Sequence, residues 1–245
     1  MAKTTFATPK HRLSLQLLPI LLCLTSIAWS EAAQTQADCG SPAVEVTEKE
    51  GAWLIRGTRT RVELNPATLQ MTIQAGDSTW STVASSGGDL LVENSGKSLA
   101  LCLADAGRRT VSAYRTGFKT GVKVSLGDFR QEGTRIDVGI DLFICLEEAD
   151  QELVCELVAR EKGAQVLECA WPPAPSENSF DATVVPFMQG MLLPKSWPKQ
   201  VYLYDTMSYG RGLYMPWWGH QKGRAAMLVL IETPEDAGCR FEHPA

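Results

Sequence analysis

From Gly51 onward, short apolar runs are cut by polar turns. Leu69, Met71 and Ile73 interleave with Gln70, Thr72 and Gln74, the two-residue period of a half-buried strand. Ile136, Val138, Ile140, Leu142 and Ile144 keep that period longer and predict one extended strand with a buried face. A polar turn at residues 147–151 follows, and residues 153–159 predict its antiparallel return. Shorter strands are predicted at 53–56, 61–64, 79–83, 98–103, 110–115, 122–126, 166–171, 183–187, 201–204 and 225–231. Asn65-Pro66-Ala67-Thr68 reads as a turn, because proline presets φ and asparagine tolerates tight backbone. Pro172, Pro173 and Pro175 close the 166–171 strand.

No helical period of useful length appears. Only Thr233-Pro234-Glu235-Asp236 looks like a helix start, with a capping hydroxyl, a first-position proline and two carboxylates for the positive end of the dipole. The chain stops nine residues after Asp236, so the signal reads as the front part of something longer. About a dozen short strands separated by turns predict an all-β fold of stacked antiparallel sheets.

The N-terminus changes the picture of where such a domain works. Lys3, Lys10 and Arg12 precede an apolar run over 13–29, and no acidic residue occurs before Glu31. Small residues then suit cleavage after Ser30 or after Ala32, as in a secretory signal. The run is interrupted by Gln16 and Pro19 and is shorter than the roughly 20 apolar residues a spanning helix needs, so a stable membrane anchor is disfavoured. The expected organisation is a signal peptide at 1–30, a flexible polar linker at 31–50 and one domain at 51–245. The chain is expected to be exported, to the periplasm or beyond the cell.

The whole chain carries a formal net charge of −5, and removal of the three basic residues of the leader makes the rest more acidic. It has no block of lysine and arginine suited to tracking phosphates, so nucleic acid is not an expected partner. Six cysteines remain beyond the leader: Cys39, Cys102, Cys145, Cys155, Cys169 and Cys239. None forms a C-x-x-C pair, which argues against a zinc ribbon. Most lie in apolar strand-like runs, where a thiol behaves as a small buried hydrophobe. Cys145 and Cys155 flank the 147–151 turn and could face each other across a hairpin as a disulfide.

Catalytic signatures are missing from the sequence. It holds no G-x-S-x-G; Gly96-Lys97-Ser98 lacks the upstream glycine of a phosphate loop; Gly210-Arg211-Gly212 lacks the third glycine of a dinucleotide fingerprint. His220 and His243 have no metal-ligand spacing. Acidic pairs such as Glu147 with Glu148, or Glu235 with Asp236, read as solvated surface rather than as the paired carboxyl groups of glycoside hydrolysis. No catalytic residue, metal site or cofactor is therefore assigned. One stretch stands out: seven of the chain's 19 aromatics (Trp197, Tyr202, Tyr204, Tyr209, Tyr214, Trp217 and Trp218) fall within residues 197–220. Flat rings with polar edges suit a sugar ring or a protein interface, and equally suit core packing or docking of a neighbouring domain.

Three segments carry a resemblance to a known family. Residues 53–80, including ELNPATLQMTI, resemble the opening of galactose-mutarotase-like β-supersandwich domains that precede the catalytic barrel in bacterial glycoside hydrolases of the endo-α-N-acetylgalactosaminidase type and their uncharacterised relatives. VVPFMQGMLLP (184–194) resembles their P-x-x-Q-G-x-L-x-P segment. MPWWGHQKGRAAMLVLIETPEDA (215–237) resembles the segment with a glycine turn, an apolar strand and E-T-P-x-D-A. The resemblance implies an antiparallel β-supersandwich whose catalytic carboxylates lie on a barrel outside this chain. It also places Gln189 and the Trp217, Trp218 and His220 loop near such a barrel. Gln189, Tyr209, Arg211, Tyr214, Trp217, Trp218 and His220 are thus the candidate carbohydrate or interface residues. The rival expectation is a self-contained envelope module that uses the same aromatics to hold a glycan or a protein.

Overall fold

The computed structural model describes residues 43–147, 151–187, 189–205, 213, 215–233 and 237–243. Every strand pairing among them is antiparallel, and they contain no α-helix, only short 3-10 turns at Leu103–Asp105 and Glu177–Ser179. The all-β class expected from the sequence is therefore present.

A five-stranded meander opens the domain: β1 (Glu45–Lys49), β2 (Ala52–Arg56), β3 (Thr60–Leu64), β4 (Met71–Ala75) and β5 (Ser78–Ser81). β6 (Leu90–Asn94) and β7 (Lys97–Leu101) form a hairpin joined at one side by β14 (Gln165–Cys169). β8 (Arg108–Arg115), β9 (Lys119–Gly127), β12 (Val138–Glu147) and β13 (Glu152–Glu161) make a sheet in the order β13-β12-β9-β8. β10 (Phe129–Gln131) and β11 (Thr134–Ile136) form a small hairpin between them in sequence. A second four-stranded sheet follows, β16-β15-β18-β19, from β15 (Ala182–Val185), β16 (Met191–Pro194), β18 (Trp217–Lys222) and β19 (Ala225–Leu230). β17 (Val201–Asp205) pairs with β20 (Cys239–His243).

Local chemistry explains the tight connections. Asn65 Oδ1 accepts the amides of Ala67 and Thr68 at 2.9 and 3.4 Å, the side-chain turn its sequence predicts. β1 to β2, β6 to β7 and β10 to β11 each turn over two residues with positive φ: Glu50-Gly51, Ser95-Gly96 and Glu132-Gly133. That is the mirror-image turn whose twist matches paired strands, and glycine takes its second position without steric cost.

One apolar core unites the first part of the chain. Ile55, Val62, Leu64 and Met71 from the meander meet Leu90 and Val92 from the hairpin. Val122, Val124, Leu126, Ile140, Leu142 and Ile144 from the β13-β12-β9-β8 sheet complete it. Each of these is at most 1% exposed, so this is where the apolar alternation is satisfied.

Several expectations need correction. The lead-in to residue 50 is not wholly a flexible linker: Glu45–Lys49 pairs along its length with Ala52–Arg56, and Val44 and Val46 anchor it on the core. Two apolar residues at strand spacing suffice because a paired neighbour supplies the hydrogen bonds. The long strand predicted from Ile136 to Ile144 is two strands broken at Asp137, whose carbonyl accepts the amide of Gly163 at 3.1 Å rather than a ladder partner. Residues 234–236, where a helix start is expected, lie outside the described residues, and Cys239–His243 beyond them is strand β20.

The disulfide expected between Cys145 and Cys155 is absent, both thiols being free. The register gives the reason: Cys145 pairs with Val154 and Ile144 with Cys155. A shift of one residue sends the two sulfurs to opposite faces of the sheet. Burial pushes both thiols up to about 12, so they are protonated and inert.

Candidate interface on the C-terminal sheet

The β16-β15-β18-β19 sheet carries Trp217, Trp218 and His220 of the candidate residues, with Gln189 on its β15–β16 loop. Its register sorts them. Thr183 lies between Leu193 and His220, and Met227 lies beyond His220, so these four share one face. Val184 lies between Leu192 and Gly219, with Leu228 opposite Gly219 and Leu230 opposite Trp217, and these share the other.

The first face is packed. Val185, Leu193, Thr183 and His220 are all buried. His220 Nδ1 sits 3.2 Å from Thr183 Oγ1, and its ring is 4.7 Å from that of Phe180. Burial holds its pKa down to about 4, so the imidazole is neutral at neutral pH. Its Nε2 has no hydrogen-bond partner among the described residues. Trp218 lies on the same face and meets Phe241 of β20 edge-on, with centroids 5.5 Å apart. Trp218 and His220 are therefore packing residues of the sheet's inner side.

The second face is apolar and open. Leu192, Leu228 and Leu230 are 53%, 58% and 60% exposed, and Trp217 is half-buried beside them. Ala182, Pro194, Gln221 and Ala226 are the other residues aligned with it, so no charged side chain occupies this set of positions. The loop between β15 and β16 carries Gln189, exposed, next to Gly190, whose φ is +93° and whose amide donates to the carbonyl of Phe187 at 2.9 Å. Phe187 bridges to Leu213, which brings that loop and the approach to Trp217 to the same end of the sheet. Met215, 50% exposed, extends the apolar surface there.

Of the candidate residues, then, Gln189 and Trp217 lie at one exposed end of the sheet, whereas Trp218 and His220 turn inward. Tyr209, Arg211 and Tyr214 lie outside the described residues. Elsewhere in the aromatic stretch, Trp197 is 42% exposed and its carbonyl lies 2.7 Å from His243 Nε2. Leu192, Leu228 and Leu230 were not singled out from the sequence. The signal for them was present: Ala225–Leu230 reads AAMLVL, apolar at every position. A strand with one wet face alternates, and an unbroken apolar run belongs to a strand covered on both sides.

Chemically this surface can exclude water and stack against apolar or ring-shaped partners. It has no acid, base or nucleophile among its aligned positions. No cluster of metal-ligating side chains occurs among the described residues.

No family model and no curated protein matches the chain. Solved structures do. The chain is similar to alpha-N-acetylgalactosaminidase NagBb from Bifidobacterium bifidum in its Gal-NHAc-DNJ complex, with 28% identity and a TM-score of 0.63, over 78% of this chain and 31% of that one. In its GalNAc complex the values are 25% identity and a TM-score of 0.60, over 82% of this chain and 31% of that one. The ligand-free form gives 26% identity and a TM-score of 0.57 over the same shares. The chain thus spans about a third of the length of the glycoside hydrolase it resembles.

Proposed function

We propose that the chain is a non-catalytic, galactose-mutarotase-like β-supersandwich module of an exported glycoside-hydrolase-like protein. In this reading its C-terminal sheet packs its open face, with Trp217, Leu228, Leu230 and Leu192, against a catalytic barrel. The observation that carries it is that uncharged apolar face, on a chain that matches only a third of NagBb. A soluble domain rarely leaves several large aliphatic side chains side by side in water unless a partner covers them. The module contributes support, and through the loop bearing Gln189 it contributes an edge to a sugar cleft. Residues 1–30 direct the chain out of the cytoplasm, which mass measurement of the mature product would check.

The direct test is turnover. The purified chain, incubated with an aryl N-acetyl-α-galactosaminide, is expected to release no aglycone. Hydrolysis by the isolated polypeptide would end the proposal.

A second reading is favoured by Trp217, an indole on a flat, uncharged surface suited to a sugar ring. As a stand-alone envelope module the chain would be retarded in a gel containing its glycan. Trp217→Ala would then abolish retardation and leave the melting temperature in place. A fall in melting temperature with no change in retardation would count for packing instead.

A further inference from the structure

The outer face of the β13-β12-β9-β8 sheet carries a second feature, independent of the reading above. At one end, the two central strands carry Gly127 and Gly139, each one residue beyond the pair Leu126 and Ile140. An arginine from each edge strand leans over them. A Cβ at Gly127 would come within 2.9 Å of the Arg108 guanidinium, and one at Gly139 within 3.1 Å of that of Arg160. At a strand spacing of about 4.8 Å the two edge strands are roughly 14 Å apart, so both side chains reach inward. Arg108, Arg160, Thr110, Ser125 and Leu126 line one pocket of about 280 Å³.

The charges beneath do not balance. Asp141 is buried and its Oδ2 lies 3.0 Å from Arg160 and 3.1 Å from Lys123. Burial alone would raise its pKa, but the hydrogen bond from Ser125 and the two cations outweigh that and hold it below the usual carboxylate value. One carboxylate thus faces two cations, and Arg108 adds a third positive charge with no carboxylate in salt-bridge reach among the described residues. Lys119, further along the sheet, is taken up by Glu156 at 2.8 Å. In a chain of net charge −5, a pocket with two guanidiniums, two hydroxyls and a local excess of positive charge is a selective feature.

We propose that this pocket binds an oxyanion, a carboxylate or sulfate group, clamped between the guanidiniums of Arg108 and Arg160. Planar guanidiniums match such groups bidentately, and Thr110 supplies a neutral donor, the Ser125 proton being held by Asp141. The glycines leave room for the arginine side chains over the central strands. Asp141 orients Arg160 and leaves Arg108 as the group that makes the net attraction.

Calorimetric titration of the full chain with glucuronate, inorganic sulfate and, as the neutral control, glucose tests this. Binding of glucuronate or sulfate, weakened by added salt, with no heat from glucose, is the expected result. Glucuronate alone would identify a carboxylate site, and sulfate alone a sulfate site. Arg108→Gln should weaken the anion about tenfold or more. It breaks no ion pair, so its melting temperature should match the parent. Gly127→Ala, which pushes the guanidinium aside, should weaken binding in a folded protein as well. No binding of either anion at millimolar concentration, or binding that Arg108→Gln leaves intact, would overturn the assignment.

Discussion

Two sheets of four antiparallel strands differ in what their second faces carry. In the β13-β12-β9-β8 sheet the inner positions, Val122, Val124, Ile140, Leu142 and Ile144, are fully buried, while the outer positions hold Lys123, Ser125, Asp141, Glu156 and Arg160. The alternation is that of a sheet with one dry and one wet side. In the β16-β15-β18-β19 sheet the inner side is packed around Val185, Leu193 and His220, yet the outer side is again apolar, with Leu192, Leu228 and Leu230 more than half exposed. Strand pairing alone does not distinguish them, since both are regular antiparallel ladders. The difference teaches that the first sheet is finished within this chain, and the second has a face whose composition suits cover.

The sharpest way to break that comparison is to disturb the finished sheet. Gly121 lies opposite Cys145, and a Cβ there would run into the carbonyl of Ile144. Backbone in the middle of a paired strand cannot move aside, so Gly121→Val is expected to give insoluble protein, checked by expression and circular dichroism. Leu142→Ala, which empties a fully buried site, should cost about 2–5 kcal/mol in urea unfolding. A loss below about 1 kcal/mol would mean that the core is not packed as described.

Acid should separate the two sheets. His220 has a folded pKa near 4 against about 6.5 when unfolded, so the unfolded chain binds its proton first as pH falls. Its contribution is complete above about pH 6.5 and is lost progressively down to pH 4, at up to about 1.4 kcal/mol per unit. Asp141 has a depressed folded pKa, so its contribution persists above the ordinary carboxylate value of about 3.9 and disappears only at lower pH. Stability measured from pH 7 to pH 4 should therefore decline, and His220→Gln should flatten that decline while Asp141→Asn leaves it in place. If His220→Gln keeps the full slope, the imidazole is not the buried neutral group described here.

The expected hairpin disulfide gives a smaller contrast. Cys145→Ser replaces a fully buried thiol with a hydroxyl on the wet-faced sheet and should cost about 1–3 kcal/mol as an unpaired buried polar group. Dithiothreitol, however, should leave the melting temperature of the parent unchanged, because no bond joins Cys145 to Cys155. A drop on reduction would show that the register differs from the one found.

How much could be read from the sequence follows the same division. Periodicity located β3, β4, β9, β12 and β13 because each turns one face to the core, and apolar residues recur at every second position along that face. β1 went unrecognised because only Val44 and Val46 mark it among polar neighbours. β16, β18 and β20 went unrecognised for the opposite and for a related reason: MLLP and WWGHQK do not alternate, and CRFEH is too short and charged to stand out. The aromatic cluster falls partly on the β16-β15-β18-β19 sheet, but composition carries no face information. Only the register could send Trp217 outward and Trp218 and His220 inward. The arginine pair was invisible for the same cause, since Arg108 and Arg160 are 52 residues apart in sequence and meet only across four strands.

The smallest expected effect tests the open face itself. Leu228→Ser removes a side chain that is 58% exposed, so little burial is lost and no cavity forms. Its cost in the isolated chain should stay within about 0.5 kcal/mol, in contrast to Leu142→Ala. Serine at the exposed position also removes surface that would otherwise drive self-association, so light scattering from concentrated solutions should fall. A cost comparable to that of Leu142→Ala would mean that Leu228 is already covered by this chain's own residues. The second sheet would then be as finished as the first, and an outside partner would no longer be needed to explain its apolar side.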